Sequence, residues 1–227
     1  MAVHTLLLQQ FPLLKPLPAE TLERLAVLAG TQNFAKREVV LQKAGTPKNL
    51  CFLAEGRLQG IDFTLDGREV GLYFIDPGDY FAELALIDGQ AQPEHIVASA
   101  PSQVVMVPGS AIRPILFATP SMAEAVCRRL AQRVRSQVLQ RQILGLANPL
   151  QRICAQLESL MQVHGQRIQK APTHQEIAIM VNLTRETVTR SFQVLLTKGV
   201  LTREGEDLLV DAARLTEIAS KGPAGGE

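Results

Sequence analysis

Short runs in which apolar and polar residues alternate fill the chain from about residue 34 to residue 107. A period of two places every second side chain on one face, which is typical of half-buried β-strands. Asp66-Gly67 lies between two of these runs and predicts a hairpin, because such a turn needs positive φ. Many short, evenly spaced strands indicate an antiparallel barrel or jelly roll. The runs are REVVLQ, LCFLAEG, RLQGIDFTL, REVGLYFI, HIVASA and SQVVMV, and LPAETLERLAVLAG before them predicts a short helix.

The segment from residue 120 to residue 147 has a helical pattern. It contains no glycine before Gly145, and its apolar residues recur every three or four positions. We predict a helix of about 25 residues, roughly 37 Å long. The apolar stripe is narrow and flanked by arginines, which favours pairing with a copy of the same helix over packing only on the chain's own barrel. The stripe consists of Val126, Leu130, Val134, Val138, Leu139, Ile143 and Leu144.

A small helical domain with a β-like end is predicted after this helix, from residue 148 to residue 227. Asn148-Pro149 ends the long helix and can begin another, since Asn is a good N-cap and Pro is tolerated in the first turn. Helical segments follow in LQRICAQLESLMQV, THQEIAIMV and TRETVTRSFQVLLTKG, and VLTREGEDLLVD has strand character.

The segment THQEIAIMVNLTRETVTRSFQVLLTKG has the features of a helix-turn-helix. Thr173 and Glu176 form a capping box that begins the first helix. Asn182 tolerates the left-handed backbone that a sharp turn requires. Thr184 then caps a second helix, whose apolar residues are Val188, Phe192, Leu195 and Leu196.

The polar residues of this segment are suited to duplex DNA. Four of them share roughly one side of the second helix near its N-terminus, where recognition helices contact base edges. Arginine pairs with two guanine acceptors, and glutamate accepts from the cytosine amino group. Three further residues at the helix starts are placed for phosphate contacts. The alternative is an ordinary solvated helical hairpin. The base-contact candidates are Arg185, Glu186, Thr189 and Arg190, and the phosphate candidates are Thr173, Gln175 and Thr184.

RETVTR resembles the recognition helix of the CRP/FNR family, and of its CRP branch in particular. The family's Arg-Glu-x-x-x-Arg triplet falls on Arg185, Glu186 and Arg190. The resemblance extends from VVLQKAGTPKNLCFLAEG to LTREGEDLLV. It implies an α+β chain with three parts: a cyclic-nucleotide-binding-like barrel (1–119), a dimerisation helix (120–147) and a winged helix-turn-helix (148–227). It also implies a homodimer on a palindromic, TGTGA-like operator, from which family members recruit RNA polymerase.

GDYFAELAL corresponds to the family's phosphate-binding segment, but key positions differ. Ala82 stands where the family has Gly, whereas Glu83 and Leu84 match the family. The family's Arg-Ser pair falls on Pro93 and Glu94. An enclosed phosphate without a cation is desolvated without compensation, and Glu94 would repel it. The family's base-binding hydroxyl pair falls on Gln137 and Val138. Control by cyclic AMP in the usual way is therefore not expected, and the effector stays unidentified.

Three alternatives remain for the barrel. Another anionic effector, such as cyclic di-GMP, could contact Arg128, Arg129 or Arg133 on the long helix. The residues tentatively assigned to ligand binding are Ala82, Glu83, Leu84, Arg133 and Gln137. A haem-bound gas would need an axial donor, for which His95 is a minor candidate beside its structural role. The third alternative is a barrel without an effector. An iron–sulfur sensor is disfavoured, because Cys51 is the only N-terminal cysteine.

Composition and charge restrict the class of protein. Cys51, Cys127 and Cys154 lie apart without a CxxC pair, which is typical of a reduced cytoplasmic protein and disfavours disulfide or zinc sites. No apolar run approaches the ~20 residues of a membrane span. Residues 121–147 hold five arginines and one acidic residue, so the C-terminal part of the chain is expected to bind a polyanion. No catalytic motif is visible, which disfavours an enzyme.

Overall fold

The computed structural model describes residues 3–65, 67 and 69–221. The chain divides into two compact units, residues 1–132 and residues 133–227. The division falls inside the longest helix, so that each half of this helix belongs to a different unit. The three-part division expected from the sequence stays a prediction.

In the first unit, the described residues form eight strands and four short helices, followed by the start of the long helix. The helices are α1 (Thr5–Leu8), α2 (Ala19–Leu28), α3 (Glu83–Asp88) and α4 (Gly109–Ala118). The strands are β1 (Gly30–Phe34), β2 (Val39–Leu41), β3 (Asn49–Glu55), β4 (Leu58–Phe63), β5 (Glu69–Ile75), β6 (Tyr80–Phe81), β7 (His95–Ala98) and β8 (Ser102–Pro108).

The strands form two antiparallel sheets of four, with the orders β1-β8-β3-β6 and β2-β7-β4-β5. Their inner faces share one apolar core, as an antiparallel barrel or jelly roll requires. Each of the six predicted runs contains a strand. The inter-sheet core contains Phe34, Cys51, Leu53, Leu58, Ile75, Phe81, Ala82, Ile96, Ala98 and Val104.

Strand β3 of the first sheet is buried on both faces. Leu50 and Phe52 of β3 pack against the helices, whereas Cys51 and Leu53 face the other sheet. This explains why LCFL is continuously apolar. The predicted β4–β5 hairpin is formed, and its turn includes Gly67 at φ 78°. Asp66 lies outside the described residues.

Helix α5 runs from Pro120 to Gly145 and has 26 residues, close to the predicted length. Val126 near its start is buried in the core of the first unit, and Ile143 near its end is buried in the core of the second. Between them, Val134 and Val138 are 64% and 54% exposed within the single chain. The middle of the predicted apolar stripe is thus uncovered in the monomer.

The second unit is a three-stranded sheet among helices. After α5 it contains α6 (Pro149–His164), β9 (Arg167–Ile168), α7 (His174–Val181), α8 (Arg185–Thr197), β10 (Leu201–Glu204), β11 (Asp207–Val210) and α9 (Ala212–Lys221). The sheet order is β10-β11-β9, and all pairings are antiparallel. Asn148 caps α6 as expected, because its side chain accepts from Leu150 N at 2.8 Å, and Pro149 occupies the first turn.

Candidate nucleic-acid interface

Helix α7 begins and ends as its sequence predicts. Thr173 Oγ1 accepts from Glu176 N at 3.2 Å, and a Glu176 carboxylate oxygen accepts from Thr173 N at 2.7 Å. This reciprocal pair satisfies two backbone donors that the helix itself leaves open. Asn182 ends the helix at φ 51° and ψ 55°, in the left-handed region. The chain therefore turns sharply into α8.

Helix α8 is fixed by a buried apolar face. Thr184 caps it by accepting from Thr187 N, and Val188, Phe192 and Leu195 are buried against the rest of the unit. Leu196, the fourth apolar residue that the sequence analysis names in this helix, does not share this buried face. Leu196 is 41% exposed, because the next residue along a helix lies about 100° around its axis.

The opposite face of α8 carries charged groups that are open to solvent. Arg185, Glu186 and Arg190 are exposed, and among the described residues none of them has an ion pair within 4 Å. Backbone hydrogen bonding at the helix start lowers the pKa of Glu186, with further contributions from the Thr184 hydroxyl and from Arg185 and Arg190. Two guanidinium groups and an ionised carboxylate thus lie together near the N-terminus of one helix.

The four predicted polar contacts beside this trio differ in availability. Gln175 is exposed, and Thr173 and Thr184 are exposed although their hydroxyl oxygens already cap helices. Thr189 is half-buried, and its hydroxyl donates to the Arg185 carbonyl at 2.9 Å. Its oxygen also lies 3.0 Å from His174 Nδ1. Thr189 is therefore tied into the protein and is a weaker candidate for a base contact than the charged trio.

Sequence reasoning missed two basic residues at this surface, His174 and Arg203. His174 packs on Phe192, with ring centroids 4.6 Å apart. Burial lowers the pKa of His174, followed by repulsion from Arg203 on β10 and Arg185 on α8. Arg203 on β10 and Arg185 on α8 therefore both act electrostatically on His174. A basic residue in the predicted LTREGEDLLV wing was the available signal for Arg203.

The wing hairpin is held by a cluster of charges. Arg167 on β9 bonds Asp207 at 2.9 Å and Glu204 at 3.0 Å, and Asp207 also accepts from Lys170 N at 3.1 Å. The hydrogen bond from Lys170 N, followed by the one from Arg167, lowers the pKa of Asp207. Gly205 turns the hairpin at φ 62°. The acidic side chains on either side of the wing turn are thus partly neutralised by partners within the protein.

The end of α7 is also anchored from outside the helix-turn-helix. The Gln140 amide on α5 donates to the Met180 carbonyl at 2.6 Å, and Arg152 on α6 donates to the Val181 carbonyl at 3.5 Å. Carbonyls at a helix C-terminus lack partners within the helix. Gln140 and Arg152 supply them, so the turn before α8 is connected to the C-terminal half of the long helix.

The predicted phosphate-binding segment in the first unit is a tight turn into α3. Ala82 caps α3 at φ 67° and ψ 16°, a left-handed conformation that costs a non-glycine residue about 1–2 kcal/mol. A glycine at this position would avoid that cost. Glu83 is buried and Leu84 is half-buried. Arg133 and Gln137 belong to the second unit, and their assignment to a ligand stays a prediction.

Glu94 is turned into the barrel and bonded there. It is buried with the same alternation as Ile96 and Ala98, which face the inter-sheet core. Its carboxylate accepts from the Tyr73 hydroxyl. The Tyr73 ring crosses Gly60, where an added Cβ would lie 2.8 Å from two ring carbons. The position that corresponds to the family's anion clamp therefore carries a buried acid with an internal partner.

The other candidate ligand groups of the first unit also have partners. Arg129 bonds Asp79 at 3.0 Å and stacks on Tyr80, and Arg128 bonds Glu124 at 2.6 Å. His95 Nδ1 accepts from Lys43 N at 3.3 Å, which agrees with a structural role.

The cysteines and acidic side chains form no metal site in the part of the chain that the structure describes. No group of three or more His, Cys, Asp or Glu side chains is arranged there to hold a metal ion. Burial raises the pKa of Cys51 to about 12, and burial together with Glu158 raises that of Cys154 to about 12. Within the same ranges, no helix combines the length and apolar character of a membrane span.

Two family models match the chain along most of its length. Residues 31–119 match the cyclic nucleotide-binding domain, and residues 151–218 match the Crp-like helix-turn-helix domain. The chain belongs to the CRP/FNR family. It is a DNA-binding transcription regulator of this type, with the α+β fold that the family predicts.

Individual relatives have low sequence identity to this chain but align with most of its length. The cAMP-activated global transcriptional regulator CRP of Pasteurella multocida is 24% identical over 187 residues, 80% of this chain and 90% of the relative. FixK2 from Bradyrhizobium japonicum has a TM-score of 0.71 at 20% identity, over 83% of this chain and 96% of its own. CLP from Xanthomonas campestris, described as c-di-GMP responsive, has a TM-score of 0.65 at 21% identity, over 85% and 99%.

Proposed function

We propose that the protein is a homodimer that recognises a palindromic operator with TGTGA-like half-sites through α8. The observation that carries the proposal is the exposed trio of Arg185, Glu186 and Arg190 opposite the buried face of the helix. A helix held rigidly on one side can present the other side to the major groove, which is wide enough to admit it.

Each member of the trio has a chemical role in this proposal. An arginine can donate two parallel hydrogen bonds to guanine O6 and N7. Glu186 remains ionised at neutral pH and can accept from a cytosine amino group. Gln175 and the hydroxyl hydrogen of Thr173 are suited to phosphate oxygens, which fix the register of the protein on the duplex without specifying sequence.

Pairing through α5 would match the protein to a palindrome. Val134 and Val138 form an apolar patch in the middle of a long helix, flanked by arginines. A two-fold dimer buries the same patch on both chains and orients two recognition helices with the same symmetry as two half-sites. From such a site we expect the dimer to act on transcription through RNA polymerase.

We also propose that cyclic AMP does not control this protein in the usual way. Glu94 lies where the family places a phosphate-binding residue, and its carboxylate is buried and bonded to Tyr73. An entering phosphate would have to approach a negative charge in a poorly solvated space. Arg128 and Arg129 already bind acidic partners. These contacts favour DNA binding without a nucleotide over an anionic effector such as cyclic di-GMP.

A gel-shift titration tests the main proposal. The purified protein is mixed with a labelled palindromic TGTGA duplex or with a shuffled duplex of the same composition. We expect tighter binding to the palindrome and a steep loss of affinity with added salt, because phosphate contacts release counterions. Equal competition by the shuffled duplex would contradict sequence recognition by α8.

A further inference from the structure

His174 occupies the junction of three elements of the DNA-binding unit. It is the first residue of α7, directly after the Thr173 cap. Its ring packs on Phe192 of α8 at 4.6 Å, and its Nδ1 lies 3.0 Å from Thr189 Oγ1. The residue is half-buried.

The hydrogen bonds around Thr189 restrict the state of the His174 ring. The Thr189 hydroxyl donates its only hydrogen to the Arg185 carbonyl at 2.9 Å. Its oxygen can then only accept from His174, which requires a hydrogen on Nδ1. In a neutral ring with that hydrogen, Nε2 is an acceptor, whereas in the protonated ring it is a donor. Among the described residues, Nε2 has no hydrogen-bond partner.

The charges around His174 are mainly positive. Arg185 approaches from α8 and Arg203 from β10. Glu176 on its own helix is the nearby acid in sequence, but its carboxylate accepts from Thr173 N. Burial and the two guanidinium groups together lower the pKa of His174 in the free protein. Phosphates of bound DNA would offset the two positive charges and accept a hydrogen bond only from a protonated Nε2.

We propose that His174 is a proton-linked phosphate contact, which takes up a proton when the recognition helix binds DNA, while its Nδ1 stays bonded to Thr189 of that helix. The proposal rests on DNA binding by α8. Since DNA raises the pKa of His174 from a lowered value, binding is strengthened as pH falls through the pKa of the complex. The effect is lost as pH rises above that value.

The test is an affinity titration against pH at constant ionic strength. Binding to the palindromic duplex is measured by fluorescence anisotropy from about pH 5.5 to about pH 8. For wild type, we expect affinity to fall with rising pH by up to about tenfold per pH unit for each protomer, the limit for one linked proton. His174→Gln should remove this slope. His164→Gln is the matched control, because His164 lies at the end of α6, and it should retain the slope.

A second measurement does not depend on a variant that folds. The ring C–H resonance of His174 is titrated by NMR in the wild-type protein, with and without duplex. We expect the midpoint to move to higher pH with DNA. An unchanged or lower midpoint, or the same pH slope in His174→Gln and wild type, would overturn the proposal. Failure of the α8 proposal would look different, since palindromic and shuffled duplexes would then bind equally at every pH.

Discussion

The candidate site in each of the two units treats its charged side chains in a different way. In the second unit, Arg185 and Arg190 are exposed and have no ion pair among the described residues. In the first unit, Glu94 is buried and bonded to Tyr73, and Arg129 is paired with Asp79. Both regions correspond to ligand sites in the CRP/FNR family. Of these two candidate sites, the exposed face of α8 is the one whose charges are unpaired among the described residues.

This difference separates a binding surface from a structural core. A charged group that has an internal partner loses that partner when it binds a ligand, so part of the binding free energy is spent on breaking the internal contact. A solvated charge with no internal partner loses only its hydration. We therefore expect substitutions of the exposed charged residues of α8 to change DNA binding with little effect on stability. Substitutions of Tyr73 or Glu94 should lower the free energy of unfolding.

The largest effect is expected from Arg185→Ala. Loss of a bidentate contact should weaken binding to the palindrome by about 1–3 kcal/mol per half-site, and by less to a shuffled duplex. Thermal unfolding should change little, because the side chain is exposed. Lys198→Ala, at the other end of α8, is the control and should preserve the ratio between the two duplexes. Equal weakening on both duplexes would show that Arg185 contacts only the DNA backbone.

A smaller effect, on stability, is expected from Tyr73→Phe. This change leaves the buried Glu94 carboxylate without its hydroxyl donor, which should cost about 1–3 kcal/mol in the free energy of unfolding. Urea denaturation of Tyr73→Phe, Glu94→Gln and the double variant measures the coupling between the two side chains. Strictly additive effects would mean that the contact contributes nothing. DNA affinity of the folded variants should match wild type.

No measurable effect is expected from cyclic AMP. A ligand that binds only the native state raises its stability by mass action, so an unchanged melting temperature at millimolar nucleotide indicates negligible binding. The cAMP-activated CRP of Pasteurella multocida is a suitable positive control. A clear rise in the melting temperature of this protein would contradict the inference drawn from Pro93 and Glu94.

Elements with strong local signals were predictable, and those defined by pairing were not. The capping box of Thr173 and the turn at Asn182 depend on neighbouring residues, and both are confirmed. Strand β1 has the polar sequence GTQNF, and its backbone bonds to β8 define it. Helix α4 runs through Pro114, which a local rule would place at a helix boundary. Its buried face against the first sheet stabilises it nonetheless.

The candidate site follows the same division. Arg185, Glu186 and Arg190 were identified from the sequence, since all three lie within the first two turns of one helix whatever surrounds them. His174 and Arg203 are separated by 29 positions in sequence, and only the packing of β10 beside α8 places both at the same surface. The engagement of Thr189 by His174 was equally invisible, because it crosses from one helix to the next.

The sequence by itself determined the fold class, the long helix and the chemistry of the recognition helix, because periodicity, caps and turns act over a few residues. Only the tertiary structure decided that Glu94 faces inward to Tyr73, that Leu196 is exposed and that His174 contacts Thr189 and Phe192. These outcomes depend on contacts between segments distant in the chain. Burial and charge at such contacts are properties of packing, which no local pattern encodes.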